Sequence, residues 1–560
     1  MSQLSRVTLP AAALVALLAA AAHGQTVSGS IAGSVMDPQQ SAVSGAAVTA
    51  VEQEQNFRFQ TVTNGTGRFV IAQVPPGTYT VTVQAAGFKP LERRNLGLSP
   101  NDKLDLGDLA LVVGAVTDTV EVTASGATLQ TESAERSYVL ADKQMQDVAV
   151  NGRNFLALAT FAPGVVNTGD FKVSGVGAGT GGINAISANG SRLNQSNLTI
   201  NGIGAVDAAS NTGPVIGLSL DSVQEFKMLT GVYQAEYGRA AGAQFAVITK
   251  SGSNSYHGSA YWYHRHEDLD ANNWVNNRQG LARPLLRFND PGYTLGGPVR
   301  IPKLFNGTNK LFFFWSQEWQ YQRRPNSIKN VTVPTALERQ GDFSQSVDSS
   351  GNPYHFIKDP LSSLPCNSTN AAGCFDDGGI LGRIPQSRLY KPGIALLNIL
   401  PLPNAPGNKG FDFQSDYTDD YPRLENTLRL DYNLSAKSRL FGHVMRTSSQ
   451  YTSYYGSYVL GENVPVSPIL FLQPSHSYAV GHTYVLNPTT TNEFNFGWTG
   501  NTININATTN ALSRSGSGVN LPVLYPNAVA GDYIPDVSFG EPVRPIPCPS
   551  EPPARRTPTA

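Results

Sequence analysis

Between residues 423 and 434 apolar and polar side chains alternate. Leu424, Leu428, Leu430, Tyr432 and Leu434 fall on one face, and Arg423, Glu425, Thr427, Arg429, Asp431 and Asn433 on the other. A period of two marks an extended strand with unlike surroundings on its two sides, one face suited to lipid and the other to water. A turn at residues 435–438 returns the chain into a strand over 439–445, and a second hairpin turns at Asn487 and Pro488 between strands over 478–486 and 490–498. Phe494, Phe496 and Trp498 share a face of the last strand, as an aromatic girdle would. From residue 251 onward the pattern predicts a transmembrane antiparallel β-barrel with strands about ten residues long. About eight strands can be placed, where the largest plugged barrels close with about 22. Residues 542–560 form a Pro-rich tail, so the barrel over 251–560 is expected to be incomplete.

The N-terminal third has the same period in shorter runs. Over residues 78–85, Tyr79, Val81 and Val83 share one face and Thr78, Thr80, Thr82 and Gln84 the other, after a turn at Pro75, Pro76 and Gly77. Turn signals at Asp37-Pro38 and Asn64-Gly65 space further strands as in a sandwich, and residues 109–113 supply a final one. Residues 25–115 therefore form a β-sandwich. Residues 116–250 are rich in small side chains, with a short helix expected over 154–161 and irregular chain over 164–182.

Composition narrows the function. Forty Lys plus Arg against 41 Asp plus Glu give a net charge of −1, which provides no field for nucleic acid. Only 14% of residues are charged, while Gly (54), Tyr (22) and Phe (24) are plentiful, as in a chain of many strands and turns. Arg6, the apolar run 9–22 and the small residues Ala22 and Gly24 around His23 form a signal peptide over residues 1–24, cleaved before Gln25. That apolar run is shorter than the roughly 20 residues of a spanning helix, so a membrane protein of this sequence must cross with strands. Cys366 and Cys374, close together in a Pro-, Ser- and Asn-rich loop, are a candidate disulfide or an unpaired surface pair, and Cys548 lies far off in the tail.

Two sets of motifs resemble known families. Residues 29–35 (GSIAGSV), 66–69 (TGRF) and 76–81 (PGTYTV) are similar to the carboxypeptidase regulatory-like domain, a transthyretin-like sandwich described as carbohydrate-binding-like. That resemblance implies a non-catalytic accessory and leaves sugar binding open. The series Asn151-Gly152-Arg153-Asn154-Phe155, Ala188-Asn189-Gly190-Ser191-Arg192, Ile200-Asn201-Gly202, Gln224-Glu225-Phe226-Lys227 and Ala235-Glu236-Tyr237-Gly238-Arg239 stands in the order found in the plug of TonB-dependent receptors. It resembles most the Oar-like branch, whose members carry the same sandwich. Residues 247–254, followed by His257 and Gly258, resemble that branch's passage from plug to first barrel strand. The expected fold is mainly β: a transthyretin-like sandwich, an α/β plug and a partial antiparallel barrel.

Three segments bear on chemistry. Residues 177–182 match a GxGxxG pattern but lack the preceding strand and following helix of a nucleotide site, so a plug loop is expected. His264 and Glu267 have the spacing of a zinc carboxypeptidase, with His355 and His443 as remote candidates for a third ligand; the alternation of residues 256–265 instead puts His264 at a strand end. The segment Asp118, Thr119, Val120, Glu121, Val122, Thr123 and Ala124 is β-prone and lies between sandwich and plug. It resembles the Ton box, which adds as a strand to a TonB-type energy-coupling protein of the inner membrane; the alternative is the last strand of the sandwich.

These readings converge on an outer-membrane receptor that takes up an unidentified extracellular ligand, such as an oligosaccharide, peptide or chelate. It would sit in outer-membrane lipid with no catalysis, no cofactor and no nucleic acid. The alternatives are an outer-membrane-anchored carbohydrate-binding or adhesion protein and, third, the zinc carboxypeptidase. N-terminal sequencing of envelope-derived protein is expected to begin at Gln25; an intact Met1 there removes the export argument.

Overall fold

The computed structural model describes residues 27–520 apart from 115–119, 124–132, 149, 168–185, 193, 208–212, 235–236, 239–240, 281, 326–327, 349, 408–409, 455–467, 509 and 511–512. The expected signal peptide, the GxGxxG segment and the Pro-rich tail lie outside the described residues.

Eight strands build the sandwich: β1 (Gly29–Met36), β2 (Ala47–Glu52), β3 (Arg58–Val62), β4 (Arg68–Val74), β5 (Gly77–Gln84), β6 (Leu91–Leu98), β7 (Lys103–Ala110) and β8 (Val120–Thr123). One sheet runs β4-β1-β7 and the other β3-β2-β5-β6-β8. The alternation along β5 does what its period demands: Tyr79, Val81 and Val83 are fully buried, and the Tyr79 hydroxyl donates to the Pro75 carbonyl at 2.7 Å. At the tight turn before β4, Asn64 Oδ1 accepts from the amides of Thr66 and Arg68. Gly67 there has φ +74°, and a Cβ would lie 2.6 Å from the Val35 carbonyl, so only glycine fits. Two expectations shift. The strand placed at 109–113 is β7 and ends at Ala110, and residues 120–123, assigned to the plug region, pair with the sandwich in parallel from Leu91↔Val120 to Arg94↔Thr123.

The plug is a mixed sheet of β9 (Arg136–Ala141), β10 (Asn197–Ile200), β11 (Ile203–Gly204), β12 (Val223–Gly231) and β13 (Gln244–Thr249), in the order β11-β10-β13-β12-β9. Its core gathers Phe155, Leu198, Phe226, Phe245 and Val247. The helix expected over 154–161 is a 3₁₀ helix, Phe155–Phe161. Its buried residues, Phe155, Leu156, Leu158 and Ala159, face the plug core.

The third unit is an eight-stranded antiparallel sheet: β14 (His257–His266), β15 (Arg287–Pro298), β16 (Leu311–Pro325), β17 (Thr418–Ser435), β18 (Ser438–Ser453), β19 (Ile469–Asn487), β20 (Thr490–Asn501) and β21 (Asn504–Ala507). Among the described residues β14 and β20 are not paired with each other, so the wall is open. Its strands reach 19 residues, longer than expected, since β19 begins at Ile469, ahead of the alternation that the sequence pattern marked at 478–486. Leu430, Val444, Val480, Phe494 and Phe496 are exposed on one side, whereas Asp290, Glu318, Glu425, Asp431 and His443 are buried on the other. Apolar outside and polar inside is the inverse of a soluble protein and the arrangement of a lipid-facing wall. One expectation is corrected here: the polar face of β17 meets the plug and the sandwich rather than open water, with Arg423, Glu425, Thr427, Asp431 and Asn433 all buried.

Tight turns at residues 435–438 and 487–490 mark one end of the wall, and the longer connections 267–286 and 326–417 mark the other. The sandwich sits at the tight-turn end. Thr61 donates to the Pro488 carbonyl at 3.0 Å, and Arg439 donates to Gln55 Oε1 at 2.8 Å. In the long connection, Cys366 and Cys374 are joined by a disulfide.

Phe59, 1% exposed and edge-on to Phe57 and Tyr79, anchors the sandwich core. A fragment of residues 25–123 is expected to unfold cooperatively in urea, and Phe59→Ala to lower its stability by about 3–5 kcal/mol. A fragment without a cooperative transition would show that the sandwich is not an independent unit.

Candidate functional site

Four of the five plug motifs carry a side chain that fastens the plug to something else. In the first, Gly152 adopts φ +67° inside a 3₁₀ turn, Asn151–Arg153, and Asn154 Oδ1 accepts from the Leu156 amide, capping the 3₁₀ helix that follows. Phe155 then enters the core beside Phe226, and Arg153 is directed at the wall. Its guanidinium pairs with Asp221 of the plug and lies 3.3 Å from Asp290 of β15. It also lies over the rings of Tyr261 and Tyr263 of β14, at 5.0 and 3.9 Å from their centroids. Around it, Glu318 of β16 accepts from Ser219 at 2.7 Å and from the Tyr261 hydroxyl at 2.8 Å. Burial opposes the charge on Arg153, but the carboxylates of Asp221, Glu318 and Asp290 outweigh it and hold the group above its ordinary pKa. Removing one partner of such a buried pair costs about 3–5 kcal/mol, because the other charge is left uncompensated, so Arg153 and its carboxylates act as a unit.

The second joint is at Asn201, whose φ of 50° lies in the left-handed region that asparagine tolerates. Its Nδ2 donates to Thr249 Oγ1 at 2.9 Å and lies 3.0 Å from Nδ1 of His443 on β18. Arg429 of β17 donates to the Thr249 carbonyl at 2.7 Å, where the plug passes into the wall. Asn189, also at positive φ, donates to the Thr230 carbonyl at 2.6 Å and ties the irregular plug chain to β12.

The third joint faces the sandwich. Lys227 of β12 is fully buried; its ammonium donates to the Pro100 carbonyl at 2.6 Å and to Asp102 Oδ1 at 2.7 Å. Two residues earlier, burial pushes the Glu225 carboxyl up to about 7, with Asp102 nearby adding to the rise and Ser99 and Lys227 opposing it. Tyr237 accepts a hydrogen bond from Asn101. Ala235, Glu236 and Arg239 of that motif lie outside the described residues.

Of the segment Asp118 to Ala124, only Val120–Thr123 is described, as the outermost strand of the sandwich sheet; Asp118, Thr119 and Ala124 lie outside the described residues. His264 Nδ1 faces Asn289 Oδ1 at 2.9 Å and His266 neighbours Glu267 at 3.6 Å. Among the described residues no group of three or more His, Cys, Asp or Glu side chains is arranged to hold a metal ion. Sequence reasoning missed the receiving ends of the joints, namely Asp290, Glu318, His443 and residues 99–102. For Glu425 and Asp431 a signal existed in the polar stripe of β17. For the sandwich turn the only local mark was the cluster Ser99, Pro100, Asn101 and Asp102, which reads as an ordinary turn.

Comparisons with known proteins match these parts. The model of the outer membrane beta barrel domain family matches residues 248–558, and that of the carboxypeptidase regulatory-like domain matches residues 30–112. A TonB-dependent transporter, Oar, from Myxococcus xanthus is 27% identical over 334 residues, covering 57% of this chain and 29% of the relative. The chain thus spans less than a third of that protein's length. Similar solved structures include the outer membrane transporter YddB from Escherichia coli, with 11% identity, TM-score 0.39, and 66% of this chain and 40% of that one covered. A mutant ferric enterobactin receptor from Pseudomonas aeruginosa in complex with enterobactin has 11% identity and TM-score 0.31, with 66% and 46% covered.

The raised value of Glu225 sets a pH dependence. The neutral carboxyl's contribution to stability is complete below about pH 4.5, its ordinary value, and is lost as the pH rises through about 7. Urea midpoints followed by circular dichroism are expected to fall over that window in the parent chain and to fall less in Glu225→Gln. Equal slopes in the two would remove Glu225 as the titrating group.

Proposed function

Since the chain belongs to the outer membrane beta barrel domain family, we propose that it is an outer-membrane receptor of the TonB-dependent kind, with a plug that blocks the space inside its strand wall. Ligand arrives from the side of the long connections, and the plug rearranges to admit it. The joint at Arg153 is the observation that carries this reading, because it pins a separately folded sheet to a polar inner wall through charges, where among the described residues the wall lends the plug's buried apolar core Met445 alone. Charged joints can be exchanged for water, which suits a body that must move. The protein does no chemistry of its own on the ligand, an oligosaccharide, peptide or chelate, and needs no cofactor.

Energy would enter through residues 118–124, gripped as an added strand by the C-terminal domain of a TonB-type coupling protein of the inner membrane. Supporting this, Val120–Thr123 is extended, lies at a sheet edge and stands between sandwich and plug. Its pairing with β6 supports a second reading, in which the segment is simply the sandwich's last strand.

One substitution separates them. Strand addition uses main-chain donors, so a proline, which removes an N–H, should matter where an alanine does not. Val120→Pro is expected to abolish binding of the coupling protein's C-terminal domain in calorimetry while leaving the sandwich folded and the wall inserted; Val120→Ala binds as the parent does. Unchanged binding by Val120→Pro, or loss of the sandwich's fold, would favour the second reading.

A further inference from the structure

Lys227 is a residue the plug cannot accommodate by itself. It is fully buried, yet both acceptors of its ammonium within hydrogen-bond distance, the Pro100 carbonyl and Asp102 Oδ1, belong to the sandwich, and Glu135 comes no closer than 4.0 Å. A buried cation without acceptors costs several kcal/mol, so while the sandwich covers this strand it must also supply the acceptors. Three residues of the turn take part: Pro100 and Asp102 bond to Lys227, and Asn101 donates to Tyr237.

The turn is a rigid corner of the sandwich. Asp102 Oδ2 accepts from the Ser99 amide at 3.1 Å, and the Asp102 carbonyl accepts from Ser30 of β1 at 2.8 Å. Asn101 adds the left-handed φ of 58° that closes the bend. Asp102 therefore shapes the turn with one carboxylate oxygen and receives the plug's lysine with the other.

What is missing from this contact matters equally. The apolar cores of sandwich and plug share no residue, so polar groups make the joint. Separating the two bodies would hydrate a lysine and two carboxylates and expose no broad apolar surface. Polar interfaces between independently cored units permit relative motion, whereas apolar ones seal. The sandwich also grips the tight-turn end of the wall through Gln55, which accepts from Arg439 and donates to the Gly252 carbonyl at 2.9 Å.

We propose that the sandwich is a releasable bolt on the inner face of the plug: residues 99–102 dock on Glu225, Lys227 and Tyr237 and hold β12 in place, and this contact opens before the plug sheet rearranges. The docking stands on geometry alone; only the purpose of its release rests on the transport reading above.

Hydrogen exchange on the full chain, folded in detergent, tests it. In Lys227→Met the turn has no cation to hold and the methionine needs no acceptor. The expected result is exchange faster by about tenfold or more in residues 99–102 and in β12, with β1 to β7 and the wall strands protected as in the parent. Should Lys227→Met leave the plug unfolded, the milder Asp102→Asn is expected to give the same pattern at smaller amplitude. Two results overturn the proposal. If the turn exchanges faster while β12 stays at parental rates, the sandwich is a passenger and holds nothing. If β1 to β7 lose protection together with β12, the contact belongs to one continuous fold and is not a docking surface. Neither outcome touches the coupling-protein binding of Val120→Pro, so failure of the bolt and failure of the transport reading remain distinguishable.

Discussion

A strand wall with its apolar side chains outward must place the alternate side chains inward, and those are polar. Everything inside such a wall has to satisfy a lining of carboxylates, guanidiniums and amides. In this chain the lining includes Asp290, Glu318, Glu425, Asp431 and His443, and the plug and the sandwich meet it with Arg153, Ser219, Asn201 and Gln55. The three bodies are therefore joined largely through hydrogen bonds and ion pairs, with the sandwich and the plug each keeping an apolar core mainly of its own. A joint of that kind is specific in geometry and expensive to leave half-made, yet both of its faces are soluble once water enters.

The plug motifs take on a common meaning in this light. Arg153 reaches the wall, Asn201 reaches both the wall and the end of β13, Asn189 secures the irregular chain, and Lys227 reaches the sandwich. The neighbours Gly152, Asn154 and Phe155 serve to aim Arg153, by a left-handed glycine, a cap and an anchor in the core. The polar residue in each short motif would be unremarkable on a surface; it acquires a role from the partner that it meets.

Much of the architecture was legible in the chain. The alternation around Tyr79 and that around Leu428 each report a local property, which face of a strand is buried in what, and the structure has both strands within a few residues of the pattern or extending it. The 3₁₀ winding of residues 155–161 was missed because a seven-residue apolar run is too short to separate a period of 3.0 from one of 3.6. The receiving ends of the joints were not legible for a different reason. Arg153 and Asp290, or Lys227 and Asp102, are far apart in sequence, and no local pattern says which inward carboxylate a given cation will meet. The edge pairing of Val120–Thr123 with β6 is of the same kind, a partner choice that composition leaves open.

The contact between Gln55 and Arg439 spans 384 positions of the chain, and that between Thr61 and Pro488 spans 427. The sandwich closes on neighbours within its own hundred residues and can fold as soon as it is made, whereas its seat on the wall exists only after β17 to β20 have paired. Loop-closure entropy places such long-range contacts late on the folding path. The order of assembly is thus written into the topology: sandwich and plug are finished parts that wait, and the last hairpins of the wall complete the place where they are received.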